Sequence, residues 1–120
     1  MIFDANGRLH MVTGSPGGNS IPAYVGKTIL GVLAWGLTPQ AAVDFPNIVA
    51  RGTKVRVETG VEPGPAIAAE LKEAGYDVQE RQGENSGISL IYVGEQGLEG
   101  AADKRREGTV KAVPGPPAVP

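Results

Sequence analysis

Thr13-Gly14-Ser15-Pro16-Gly17-Gly18-Asn19-Ser20 joins a short alternating run, Arg8-Leu9-His10-Met11-Val12, to a long apolar one, Ile21 to Leu37. The first pattern predicts a strand and the second a helix, so the chain passes from sheet to helix through bare backbone. Adjacent glycines after a proline leave open N–H groups at the mouth of that helix. With the positive end of the helix dipole behind them, such groups can hold a negative oxygen. Gly17 and Gly18 are therefore the candidate site residues. They can serve as an oxyanion hole for an acyl-transfer intermediate or as a cradle for an anionic ligand. A Pro-Gly-Gly segment also makes an ordinary bend, and the residues alone leave all three open. No Lys-Ser/Thr follows the glycines and no GxGxxG is present, which excludes a P-loop and a dinucleotide fingerprint.

Upstream of the glycines, Asn6-Gly7 predicts a β-hairpin between Ile2-Phe3 and Leu9 to Thr13. Downstream, the helix Ile21 to Leu37 has Pro22 in its first turn and Gly36 near its end. Its apolar residues occupy nearly every face, interrupted by Lys27 and Thr28, so burial on more than one side is expected. A lysine near its middle and the two interior glycines, Gly26 and Gly31, argue for a core helix over a membrane span. Thr38 and Pro39 start a short helix that Pro46 stops after Phe45. Lys54 to Glu58 alternates as a half-buried strand, and Pro63 to Ala74 has helical spacing closed by Gly75. Tyr76 to Gln79 is a short strand and Gln82 to Gly87 a polar loop. Ile88 to Val93 and Leu98 to Ala102 form a second hairpin, the first of these strands inside a sheet. The predicted order is β-β-α-α-β-α-β-β-β, an α+β fold and not a doubly wound parallel sheet.

The chain of 120 residues is about one small domain, and at 41% hydrophobic it can build a mostly aliphatic core. Eleven basic and 13 acidic residues spread along it give net charge −2, which leaves no electrostatic footprint for nucleic acid. The absence of cysteine excludes disulfides and thiolate metal sites, and a single histidine, His10, cannot build a zinc site alone. Met1-Ile2-Phe3-Asp4 has neither the basic stretch nor the apolar run of a secretory leader. Pro114 to Pro120 carries four prolines, a density that favours an extended or disordered tail.

Other polar residues have bland alternatives beside the functional ones. His10 sits mid-strand among apolar neighbours, where a hydrogen-bonded strand residue outweighs a catalytic base. Ser15 and Ser20 flank the glycines without a local base, so turn or capping bonds are expected of them. Asp103 with Arg105 and Arg106 can form an ion-pair latch on the last strand or simply a solvated terminus. Asn85-Ser86 can meet a ligand or only water.

Three ordered segments resemble the C-terminal end of the γ-glutamyltranspeptidase (γ-glutamyltransferase, glutathione hydrolase) family. They are Val12-Thr13-Gly14-Ser15-Pro16-Gly17-Gly18, then Trp35-Gly36-Leu37 with Pro39-Gln40-Ala41-Ala42-Val43-Asp44-Phe45-Pro46, and finally Gly100-Ala101-Ala102-Asp103-Lys104-Arg105-Arg106-Glu107-Gly108. The resemblance implies an N-terminal-nucleophile hydrolase with an αββα sandwich, of which residues 1–112 form the C-terminal part of the small subunit and 113–120 a disordered tail. It also implies γ-glutamyl transfer or hydrolysis on a substrate such as glutathione, by a threonine freed through self-cleavage, with no cofactor or metal. In that family the adjacent glycines are the oxyanion-hole donors, which carries over to Gly17 and Gly18. The nucleophilic threonine, the groups gripping the substrate and the large subunit's arginine all belong upstream of these residues. Neither Thr13 nor Ser15 inherits the nucleophile's role. Lys104 stands where the family usually has proline. Members are often exported, which suggests a periplasmic or extracellular parent. The isolated 120 residues are expected to be inactive and to self-associate, with the missing part and large subunit as natural partners and neither nucleic acid nor membrane among them. The alternative is a stand-alone anion- or peptide-binding or oligomerisation module without catalysis.

Overall fold

The computed structural model describes residues 1–115. In chain order its elements are β1 (Ile2–Phe3), β2 (Leu9–Gly14), a single 3-10 turn (Gly18–Ser20), α1 (Ile21–Leu33), α2 (Pro39–Asp44), β3 (Ile48–Arg51), β4 (Lys54–Glu58), α3 (Gly64–Glu73), β5 (Asp77–Arg81), β6 (Ser89–Gly94) and β7 (Gly97–Ala102). The expected order holds, with one strand added. Residues 48–51 were not expected as a strand, yet they pair antiparallel with β4 through the two-residue connection Gly52-Thr53. The proline-rich tail lies largely outside the described residues.

Two sheets result. One is antiparallel with order β1-β2-β6-β7, and the expected interior position of β6 is found. The other has order β3-β4-β5, in which α3 carries the chain from β4 to the parallel strand β5. In the four-stranded sheet, α1 and α2 pack on one face, and Met11, Leu90 and Ala101 are buried beneath them with Tyr24, Val43, Val49 and Ile88. The alternation is plain on the central strand, where Leu90 is 1% exposed and its neighbour Ile91 is 47% exposed. One face is a core and the other is largely bare.

α1 departs from expectation in two ways. It ends at Leu33 rather than Leu37, because Gly36 takes φ +69° and reverses the chain. The amides of Ala34 and Trp35 then both donate to Leu30 O, and Leu37 N donates to Gly31 O, which satisfies the last carbonyls. Its burial is also one-sided: Leu30 and Leu33 remain about half exposed, and the buried side includes the polar Lys27 and Thr28. Thr28 Oγ1 donates back to Tyr24 O at 2.9 Å. Lys27 reaches across to α2, and the two helices lie close because a Cβ on Gly31 would stand 2.8 Å from that of Ala42. No helix among the described residues is long and apolar enough to cross a membrane.

Candidate functional site

β2 ends at Gly14, paired with Ser89 across the sheet, and delivers the chain to Ser15-Pro16. Ser15 Oγ donates to Pro16 O at 2.7 Å and accepts from Gly87 N at 3.1 Å, so this hydroxyl is spent on fixing the turn. Gly17 follows at φ +138° and Gly18 at φ +57°, both conformations that an L side chain resists. Their carbonyls are used: Ser20 N donates to Gly17 O at 3.1 Å and Ile21 N to Gly18 O. Their amides donate to no group among the described residues. Two consecutive free N–H groups thus stand just ahead of α1, whose first turn carries no acidic residue to compete for them.

The turn is backed by a polar cluster drawn from three elements. The Tyr24 ring fills the space beside Gly17, where a Cβ would lie 2.6 Å from Cε2. Its hydroxyl donates to Glu84 Oε2 at 2.6 Å. Arg56 of β4 pairs with Glu84 through Nε, and its Nη2 donates to Glu84 Oε2 and to Ser20 Oγ, each at 3.1 Å. The Glu84 side chain is 3% exposed. Burial, then the Glu84 carboxylate, pushes the Tyr24 hydroxyl above its usual pKa, and the bond to Glu84 raises Arg56.

A second polar cluster lies where the two sheets and α2 meet. Arg105 donates through Nε and Nη2 to Glu58 at 2.8 and 2.7 Å, and through Nη1 to Asp103 Oδ1 at 3.1 Å. It also caps the end of α2, donating to the carbonyls of Val43, Asp44 and Phe45. Lys27 Nζ joins it there, at 2.9–3.0 Å from the carbonyls of Ala42, Val43 and Phe45. Asp103 Oδ2 accepts from Ser86 Oγ at 2.5 Å and from Ile88 N at 3.2 Å, and Asn47 Nδ2 donates to Ser86 Oγ. Burial raises both carboxylates. The bonds from Arg105 and Asn47 to Glu58, and from Ser86 and Arg105 to Asp103, outweigh it and hold both below the usual range. Burial and the nearby Arg105 charge bring Lys27 down to about 8.

Of the two readings open for Asp103, Arg105 and Arg106, the latch is found for Asp103 with Arg105, but Arg106 is no part of it: its guanidinium donates to Asn85 O. Ser86 is buried and binds Asp103, so it faces neither water nor a ligand. Ser20 meets Arg56, and His10 stacks edge-on to Tyr92 at 5.0 Å between centroids. No serine or threonine beside the glycines has a base in reach among the described residues, and no group of acidic or histidine side chains there could hold a metal. Sequence reading missed Tyr24, Arg56 and Glu84, whose partners lie 28 to 60 residues apart. It also missed Lys27 as a buried group. A lone lysine inside an otherwise apolar helix was the available signal.

The γ-glutamyltranspeptidase family model matches residues 1–113. Among solved structures, the chain is similar to a highly active mutant of the γ-glutamyltranspeptidase of Pseudomonas nitroreducens, at TM-score 0.79 and 26% identity, over 96% of this chain and 61% of that one. A cephalosporin acylase of Bacillus halodurans matches at TM-score 0.78 and 28% identity, over 92% of this chain and 21% of that one. At 23% identity, the Helicobacter pylori γ-glutamyltranspeptidase shares the fold, with TM-score 0.74 over 88% of this chain and 59% of its own. No curated protein sequence matches. The chain thus spans about three-fifths of the solved transpeptidase chains it resembles. With a match over nearly its whole length, the chain belongs to the γ-glutamyltranspeptidase family.

Proposed function

We propose that this chain supplies the oxyanion hole of a γ-glutamyl-transferring or γ-glutamyl-hydrolysing enzyme, with the backbone N–H groups of Gly17 and Gly18 as its donors. The observation that carries this is the pair of unused amides at the N-terminal mouth of α1, next to carbonyls that are all engaged. Donors fixed before reaction stabilise the charge that develops on a carbonyl oxygen, and losing one such donor typically costs about 100–1000-fold in kcat. The nucleophile comes from elsewhere in this proposal: a threonine at the start of a further segment attacks the γ-glutamyl amide of a substrate such as glutathione. The glutamyl group then passes to water or an acceptor amine. The bare face of the four-stranded sheet packs against a second sheet to complete an αββα sandwich of the Ntn-hydrolase type.

The test is complementation. The 120 residues alone should not hydrolyse a γ-glutamyl anilide, and co-folding them with a Thr-starting segment and large subunit of a relative should restore turnover. Turnover by the chain alone overturns the reading that the nucleophile comes from a further segment. A purely anion-binding role predicts the reverse pattern: inorganic phosphate shifts the Gly17 and Gly18 amide signals, yet no complement confers activity.

A further inference from the structure

A closed circuit of contacts surrounds Gly17. Ser20 N donates to Gly17 O, Arg56 binds Ser20 Oγ, Glu84 binds Arg56, the Tyr24 hydroxyl binds Glu84, and the Tyr24 ring returns to Gly17. We propose that Tyr24, Glu84 and Arg56 are positioning residues that hold the Gly17–Gly18 turn in its donor-presenting conformation. This rests on those amides being the oxyanion hole.

Three features favour positioning over simple stability. The ring occupies the space that a side chain at residue 17 would need, so the turn and the ring fix each other. The ring is anchored at its far end by a 2.6 Å bond, which stops it swinging away from Gly17. The acceptor of that bond is itself locked: Glu84 is paired to Arg56, and its own amide donates to Glu58 Oε1 at 3.1 Å, tying it to the polar core. A buried ion pair contributes little net stability compared with a well-packed apolar replacement, and its best-attested use is to fix one geometry. Here the geometry it fixes includes Ser20, the first donor to the turn. An oxyanion hole needs this, because donors placed even about half an ångström off lose much of their effect.

The experiment uses the 15N-labelled full chain with Tyr24→Phe, Glu84→Gln and, as a surface control, Lys72→Ala. Tyr24→Phe keeps the ring and removes only its anchor. In the parent chain the Gly17 and Gly18 amides should have order parameters of about 0.85, falling below about 0.6 in the first two variants. Those of Gly31 and Gly64 should hold, and Lys72→Ala should change none. In a complemented, active preparation the first two variants should lower kcat about tenfold at constant KM, the mark of an interaction made only in the transition state. Should Tyr24→Phe fail to fold, Glu84→Gln carries the same expectation. Unchanged order parameters in the folded variants, or a loss confined to KM, overturn the proposal. Absence of activity in every complemented preparation overturns the oxyanion reading instead, and the order parameters still decide the brace.

Discussion

A Cβ at position 17 would meet the Tyr24 ring at 2.6 Å, whereas one at position 18 meets nothing within 4 Å. The neighbouring glycines are thus needed for different reasons. At Gly18 the sole difficulty is the left-handed backbone, φ +57°, which costs a non-glycine residue about 1–2 kcal/mol. At Gly17 a φ of +138° is joined by steric overlap, and strain with overpacking amounts to about 2–4 kcal/mol. Gly17→Ala should accordingly lower the urea-unfolding free energy by clearly more than Gly18→Ala. Equal losses would mean that the Tyr24 ring yields freely. The special status of both positions was legible in the sequence, since consecutive glycines between a strand pattern and a helix pattern have few other uses. Their different demands were not legible, because the ring that separates them comes from the next helix. Lys27 shows the same limit. Its partners are carbonyls 15 to 18 residues away, and only the packing of two helices brings them to it.

At the scale of elements, α2 is a six-residue helix whose C-terminal carbonyls face two cations. Arg105 and Lys27 share the carbonyls of Val43 and Phe45, and among the described residues Ala42 O is bonded by the Lys27 side chain alone. Lys27→Met should therefore leave one carbonyl unpartnered and cost about 1–3 kcal/mol. Arg105→Met strips the cationic partner from two buried carboxylates, Glu58 and Asp103, and should cost about 3–5 kcal/mol. Thermal or urea unfolding of the two variants checks the order, and a milder Arg105 variant would contradict the assigned network. The same carboxylates set an acid limit. Their folded pKa values are depressed, so the unfolded chain binds protons first as pH falls. The stability they contribute is complete above about pH 5 and is lost as pH drops through the ordinary carboxylate range toward the folded values. In Asp103→Asn the acid-side slope of stability should flatten. Element prediction succeeded where local signals were strong, as at the Asn6-Gly7 hairpin and the Thr38 cap, whose Oγ1 accepts from Ala41 N. It missed β3, although the β-branched Ile48-Val49 before a Gly-Thr pair fits a two-residue hairpin. It overran α1, because Trp35 and Leu37 continue the apolar pattern past the reversal at Gly36.

Over the whole molecule, the exposed area is 7766 Å² at 12.4 kDa, where a compact monomer of that mass shows about 6,100 Å². Part of the excess belongs to the exposed residues 106–115, but most of the large exposed apolar side chains lie elsewhere. Ile91, Val93 and Leu98 share the bare face of the four-stranded sheet, since Val93 pairs with Leu98 and Ile91 lies two residues before Val93. Ile91 is 47% and Leu98 76% exposed, while Val110 lies against Gly100 on the same face. A sheet with one apolar face open to water gains by stacking on another, at roughly 25 cal/mol per Å² of apolar area covered. The isolated chain is therefore expected to sediment as a species heavier than 12.4 kDa at micromolar concentration. Ile91→Lys with Leu98→Lys should return it to the monomer mass and change its own unfolding free energy little, because both side chains already face solvent. The same pair should weaken complementation by a transpeptidase segment, since both would use this face. If the unsubstituted chain stays monomeric at all concentrations, the open face is not sticky enough to drive association. If the double variant still associates, the contact lies on the exposed Leu30, Leu33 and Trp35 of the other side.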